Sequence, residues 1–273
     1  MQGAGNDYVY IDMIRNRYDL DFHKLAREIS SRHFGVGGDG LVLIMPSKKA
    51  DYRMKMFNAD GSEAEMCGNA IRCVGKYLFD DRYLKKENFT IETYVDNKEL
   101  VITEKTSSGK AKSLSVDMGK PILNGKDIPI DVDMNPVIGI DVMGYEGTAV
   151  SMGNPHFVIF VDKITDKQVL TDGPEIEKNP IFPNKTNVEF IEVLDSKTLK
   201  MRVWERGTGE TLACGTGACA SAVAAVLNNF IERSVSIQLL GGTLHIDWKK
   251  DTDRVVLTGP AVEVFRGTYD FRS

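Results

Sequence analysis

Apolar and polar positions alternate with a period of two along much of this chain, and period-two alternation predicts strands. Asp51–Asn58 alternates in this way, and strand-like runs also cover Tyr8–Asp12, Leu41–Met45, Phe89–Thr93, Glu99–Thr103 and Leu114–Met118. They resume at His156–Val161, Asn187–Leu194 and Thr198–Trp204. Ser234–Leu240, Thr243–Trp248, Arg254–Thr258 and Val262–Arg266 close the chain, with Gly241-Gly242 as a hairpin turn. Helical spacing appears in Asp21–Ile29, where Asp21 suits an N-cap, in Gly68–Asp80, in a polar stretch after Asp162 and in Thr216–Phe230. Pro121 to Pro136 reads as an extended connection.

The pattern occurs twice. Met54–Gly75 lies over Met201–Ala222 without gaps at an offset of 147, with Phe57 over Trp204, Glu63 over Glu210, Cys67 over Cys214 and Gly68 over Gly215. At the same offset Leu41–Ile44 lies over Val188–Ile191, and after a slip of one residue Gly5-Asn6 lies over Gly153-Asn154. Two copies of a strand-rich unit predict an α+β protein of two similar halves from an internal duplication.

Composition narrows the class. At 273 residues the chain has room for two domains, and 42% hydrophobic with 27% charged content suits a globular protein. No apolar run reaches transmembrane length, and MQGAGNDYVYID lacks the regions of a signal peptide. The net charge of −5, with Lys and Arg dispersed, argues against nucleic acid. Four cysteines without an export signal point to free thiols in a reducing, cytoplasmic setting.

Cys67 and Cys214 share a context, Glu-x-x-x-Cys-Gly, at the start of a helix. Helix N-termini carry unpaired N–H groups and a positive dipole end. These lower a thiol's pKa and hold a carboxylate. Each cysteine is therefore expected to sit beside a bound acid group, ready to move a proton. A small buried hydrophobe is the alternative for any single cysteine, and it suits Cys73 and Cys219, which lie inside the helices and are unmatched. Cys-x5-Cys and Cys-x4-Cys are not zinc spacings, so no metal is expected. Two thiols on opposite faces of one carbon suit inversion of an amino acid's α-carbon.

The segments GAGNDYVYID, RHFGVGGDG, FNADGSEAEMCGNAIRC, MGNPHFVIF, TNVEFIEV and WERGTGETLACGTGACASA resemble diaminopimelate epimerase over most of the chain. That resemblance implies a cofactor-independent epimerase of the lysine and peptidoglycan pathway that interconverts LL- and meso-diaminopimelate. It implies a homodimer of two-domain chains, each domain a mixed sheet wrapped around a central helix. The expected halves are 1–113 plus 260–273, carrying Cys67, and 114–259, carrying Cys214. By the same match Cys214 is the base and Cys67 the acid in the LL-to-meso direction, and His156 and Glu205 tune the thiols. Asn6, Asn58, Gly68, Asn69, Asn154, Asn187, Glu205, Arg206, Gly215 and Thr216 fall on substrate-binding positions. Arg206 would meet the distal carboxylate and the helix N-termini the reacting one. Taken singly, His156 also reads as a loop histidine, the asparagines as turn residues and Glu205-Arg206 as an exposed charge pair.

The chain departs from the family pattern twice. Gly40 stands where some members carry a substrate-binding Gln, and the chain begins at Met1 inside a first strand that members usually start earlier. Three other readings compete. A proline-type racemase would not need the several Asn positions and Arg206 for a second charged end. A two-lobed binding protein would not need matched cysteines. A pyridoxal-phosphate enzyme would need a lysine in a Schiff-base setting, and none is recognisable.

Overall fold

The computed structural model describes residues 1–271. By contacts the chain divides into two units, Met1–Val116 with Thr258–Ser273, and Asp117–Leu257.

In the first unit, Ala4 and Gly5 at positive φ turn β1 (Gln2–Gly3) onto β2 (Asn6–Asp7). Then follow β3 (Val9–Asp12), α1 (Phe22–Ser30), β4 (Gly40–Pro46), β5 (Tyr52–Asn58), β6 (Glu63–Ala64), α2 (Gly68–Asp80), β7 (Asn88–Glu92), β8 (Asn97–Lys105) and β9 (Ala111–Gly119). The sheet runs β9-β8-β7-β5-β4-β3, with β6 on β5. β4 is buried on both faces, and α1 lies against one of them. Leu41 and Leu43 join Leu25, Ala26, Ile29 and Phe57 in the core under α1, and Val42 and Ile44 point the other way.

The second unit holds β10 (Val137–Val142), β11 (Tyr145–Ser151), β12 (Pro155–Phe160), a short wide-turn helix (Lys167–Asp172), α3 (Gly173–Glu177), β13 (Asn187–Asp195), β14 (Thr198–Glu205), β15 (Gly209–Glu210), α4 (Gly215–Leu227), β16 (Ser234–Leu239), β17 (Gly242–Trp248) and β18 (Val255–Pro260). Its sheet runs β10-β11-β12-β13-β14-β16-β17. The pairing β12/β13 parallel, β13/β14 antiparallel, β14/β16 parallel and β16/β17 antiparallel repeats β3/β4, β4/β5, β5/β7 and β7/β8 in order. Register is kept as well: Leu41 pairs with Phe57 as Val188 pairs with Trp204. The α+β duplication is thus present in three dimensions, each mixed sheet folding around one central helix. Both α2 and α4 are buried over most of their length. α4 manages this with small side chains, Ala218, Ala220, Ala222, Ala224 and Ala225 all being inaccessible or nearly so. Among the described residues no helix is long and apolar enough to cross a membrane.

Four details differ from the pattern reading. Val262–Arg266 is not a strand: Val262 makes one bridge to Gln2, and Val264 and Phe265 are exposed, so their apolar spacing faces no sheet. α4 stops at Leu227, because Asn228 caps it by donating its side-chain amide to Ala224 O, and Asn229 turns to positive φ. The β10/β11 hairpin has no counterpart in the expected elements; Met143 and Gly144, both at positive φ, make its turn. The Pro121–Pro136 connection is more than a link, since Ile128 and Ile130 enter the second unit's core.

Candidate active site

Cys67 is the N-cap of α2, and its Sγ accepts from Ala70 N at 3.5 Å. The same thiol donates to Asn6 Oδ1 at 3.2 Å. Asn6 sits on β2, brought there by the tight β1/β2 turn, and its Nδ2 donates to Asp39 Oδ2 at 2.6 Å. Asn69, in the first turn of α2, also reaches Asn6 Oδ1 (3.4 Å) and takes Arg72 Nη2 on its own Oδ1 (2.8 Å). The Tyr8 hydroxyl lies against Asn6 and Cys67, and burial pushes its pKa well above the ordinary tyrosine range. Asn58 stands apart from this cluster, exposed at the end of β5 and bonded to Ser62 Oγ at 3.0 Å. Gly40 has no room for a side chain: a Cβ would stand 2.1 Å from Phe57 O and 2.9 Å from Tyr8 Cε1. Any contact from Gly40 is therefore a backbone one.

In the second unit Cys214 holds the matching place, the N-cap of α4, and is only 6% exposed. Its Sγ lies 3.5 Å from Thr216 Oγ1. Asn154 Nδ2 donates to Thr216 Oγ1 at 3.3 Å, and Asn154 Oδ1 lies 3.1 Å from His156 Nε2. His156 Nδ1 lies 2.7 Å from Glu189 Oε1, with both side chains fully buried. Glu205, at the end of β14, accepts from the Thr211 hydroxyl, and burial pushes its pKa up against the opposing pull of Thr211, Cys214 and His156. Gly215 opens α4 beside Thr216.

The Cys214 thiol runs opposite to the expected direction. Burial pushes its pKa well above the ordinary thiol range, and the charges of Glu205 and Glu189 push it further. The Thr216 hydroxyl and the Gly217 N–H pull the other way and do not prevail. A helix N-terminus lowers a thiol pKa where the thiol is wet and its neighbours are cationic. Here it is dry and faces carboxylates.

Asn187 and Arg206 both bond to backbone. Asn187 is buried, and its amide holds backbone at both ends, donating to Pro155 O (2.8 Å) and accepting from Arg206 N (2.9 Å). It thereby braces the strand end that carries Glu205. Arg206 keeps its guanidinium exposed and donates to Asn184 O at 3.1 Å. Pattern reading missed Asp39, Tyr8, Thr211 and Glu189. Asp39 had a signal in its Gly-Gly-Asp-Gly loop. Glu189 had a stronger one, a carboxylate inside the apolar run Val188-Glu189-Phe190-Ile191.

Chemically, each half supplies a thiol at the head of a helix whose first N–H groups can take a carboxylate. The hydroxyl and amide groups around each thiol can orient its hydrogen by hydrogen bonding.

Comparison with known proteins identifies the family. The family model for diaminopimelate epimerase matches residues 1–124 and 148–264. A diaminopimelate epimerase of Acetivibrio thermocellus is 51% identical over 99% of this chain and 97% of its own length. One from Methanococcus maripaludis is 48% identical, with 99% and 98% covered. Among solved structures, a hydroxyproline epimerase from Agrobacterium vitis superposes with a TM-score of 0.65 at 14% identity, over 94% of this chain and 87% of that one. A phenazine biosynthesis protein from Clostridium difficile gives 0.66 at 14% identity, over 98% and 94%. These two show a shared fold. With the family model matched across both halves and relatives near half identical from end to end, the chain belongs to the diaminopimelate epimerase family.

Proposed function

We propose that the protein is an isomerase that inverts one α-carbon of 2,6-diaminopimelate, interconverting the LL and meso forms for lysine and peptidoglycan precursor synthesis. The observation that carries this is the matched pair of cysteines, each capping the central helix of its half. In the LL-to-meso direction the Cys214 thiolate takes the α-proton and becomes a thiol. The Cys67 thiol gives its proton to the opposite face of the carbanion and becomes a thiolate. The reverse reaction exchanges the roles, and no cofactor enters the proton count. Buried Cys214 is held as a thiol in the free protein by its dry, carboxylate-rich surroundings. A substrate bearing ammonium groups brings positive charge to that place and favours the thiolate. Glu205, with His156 behind it, takes the displaced proton. The helix N-termini hold the reacting carboxylate; Asn6, Asn58, Asn69, Asn154 and Arg206 serve the remaining polar ends, and Asn187 sets the Arg206 backbone. We read 1–113 with 260–273, and 114–259, as two domains of a cytoplasmic homodimer.

Incubation of the reduced protein with LL-diaminopimelate in D2O, without added cofactor, should give meso product with deuterium at the inverted carbon. Cys67→Ala and Cys214→Ala should each abolish inversion. Full activity in either variant, or turnover of proline with none of diaminopimelate, would overturn the proposal.

A further inference from the structure

One buried ionisable group enters the chemistry above only through its charge and moves no proton in it. Glu189 lies on β13, fully inaccessible, with its side chain turned toward the head of α4. Its Oε1 meets His156 Nδ1, while its Oε2 is buried and has no hydrogen-bond partner among the described residues. Gly217 is what allows the approach: a Cβ there would stand 2.7 Å from Glu189 Oε1 and 3.3 Å from Cys214 Sγ. A carboxylate in such a place is costly unless a proton or a cation neutralises it.

The hydrogen-bond inventory of the ring says how. One ring nitrogen faces a carboxylate oxygen and the other faces Asn154 Oδ1, an amide oxygen whose partner Nδ2 is already committed to Thr216. A neutral imidazole offers one donor and one acceptor. With the Asn154 amide oriented as in this structure, two oxygens flank the ring, and that arrangement takes one further proton, carried on Nδ1 or on the Glu189 carboxyl. In both cases Nε2 keeps its hydrogen.

We propose that Glu189 is a positioning residue that, by sharing this proton with His156, fixes the direction of a donor chain ending at Cys214. Nε2–H donates to Asn154 Oδ1, which leaves Asn154 Nδ2 to donate to Thr216 Oγ1. The Thr216 hydroxyl hydrogen is then free to point at the Cys214 sulfur. Without the carboxylate the ring is free to place its hydrogen on Nδ1 and present Nε2 as an acceptor. Asn154 then turns over, Thr216 donates to it, and the sulfur faces an oxygen lone pair. A developing thiolate gains a donor in the first arrangement and loses one in the second. The groups facing the pair are Glu205 at the end of β14 and Cys214 at the head of α4; both feel Glu189's charge, and Glu205 also feels that of His156.

Among the described residues the first half has no such pair. Register equates His156 and Glu189 with Tyr8 and Val42, so the β4 residue at the place of Glu189 is apolar. Direction is therefore set on the Cys214 side alone.

The test has two arms. In the wild-type protein labelled with nitrogen-15 at histidine, His156 Nε2 should carry its hydrogen throughout the neutral pH range; a bare Nε2 would overturn the proposal. Glu189→Leu, close in size and without polar atoms, should lower kcat on the order of a hundredfold with KM changed less than about twofold. Glu189→Gln, whose amide can donate to Nδ1, should recover part of that loss. An unchanged kcat in Glu189→Leu, or equal losses in Leu and Gln, would also overturn it. The kinetic arm rests on the epimerase reading and the nitrogen arm does not, so failure of one is distinguishable from failure of the other.

Discussion

Cys214 and Cys67 have the same sequence context and the same place at a helix head, yet their neighbours differ in kind. Around Cys214 stand Glu205 and Glu189; around Cys67 stand Asn6 and Tyr8. Since burial and negative charge favour the neutral thiol of Cys214, its thiolate forms only as pH rises past the ordinary thiol range, about 8.5. Alkylation of Cys214 in the free protein, followed by peptide mass spectrometry, should therefore show a midpoint at higher pH than the same cysteine in the denatured chain. A lower midpoint would mean that the helix N-terminus dominates after all. Reading the midpoint rather than the rate separates ionisation from limited access. The thiols themselves were legible in the sequence because the duplication marks them twice. The ionisation of Cys214 was not, because it depends on Glu189 and Glu205, which approach from strands and leave no spacing signature beside the cysteine.

Among the elements, period-two patterning located most strands within a residue or two, and Asp21 caps α1 as read, accepting from Lys24 N at 3.0 Å. Patterning failed where an element's signal is a backbone angle, as at Met143-Gly144, or where apolar residues face no sheet, as at Val264-Phe265. Another tie invisible to patterning joins β3 to α2. Asp12, the last residue of β3, accepts from Ile14 N (2.7 Å), from the Tyr77 hydroxyl (2.8 Å) and from that of Tyr83. Burial alone would raise the Asp12 pKa, but these donors together hold it below the usual carboxylate value. A carboxyl with a depressed folded pKa stabilises the fold above its unfolded value, about 3.9, and that contribution is lost as pH falls through the folded value. Asp12→Asn should cost about 1–2 kcal/mol at neutral pH. The gap to the parent protein should narrow in acid. Urea unfolding at the two pH values measures it, and an equal gap at both would refute the assignment.

At the scale of the molecule, the first unit is assembled from the two ends of the chain. Arg72, a fully buried residue of α2, ties them: its guanidinium donates to Gly68 O (2.9 Å), to Asn69 Oδ1 and, 188 residues away, to Pro260 O (3.3 Å). Gln2 and Val262 exchange backbone hydrogen bonds, each 2.9 Å, across the same seam. Arg72→Leu leaves three acceptors, two of them buried, without this donor and should destabilise the fold by roughly 3 kcal/mol. Hydrogen exchange should quicken across 1–116 and 258–271 and stay unchanged across 117–257; uniform quickening would mean that the two units unfold as one.

That seam also has a history. A ribosome delivers Gln2 long before its partner Val262. The second unit has all its residues in hand before Val262 emerges, whereas the first waits for that residue. On the nascent polypeptide the half begun first is the half completed second, so a message cut between the codons for Leu257 and Val262 leaves the Cys214 half whole and the Cys67 half open.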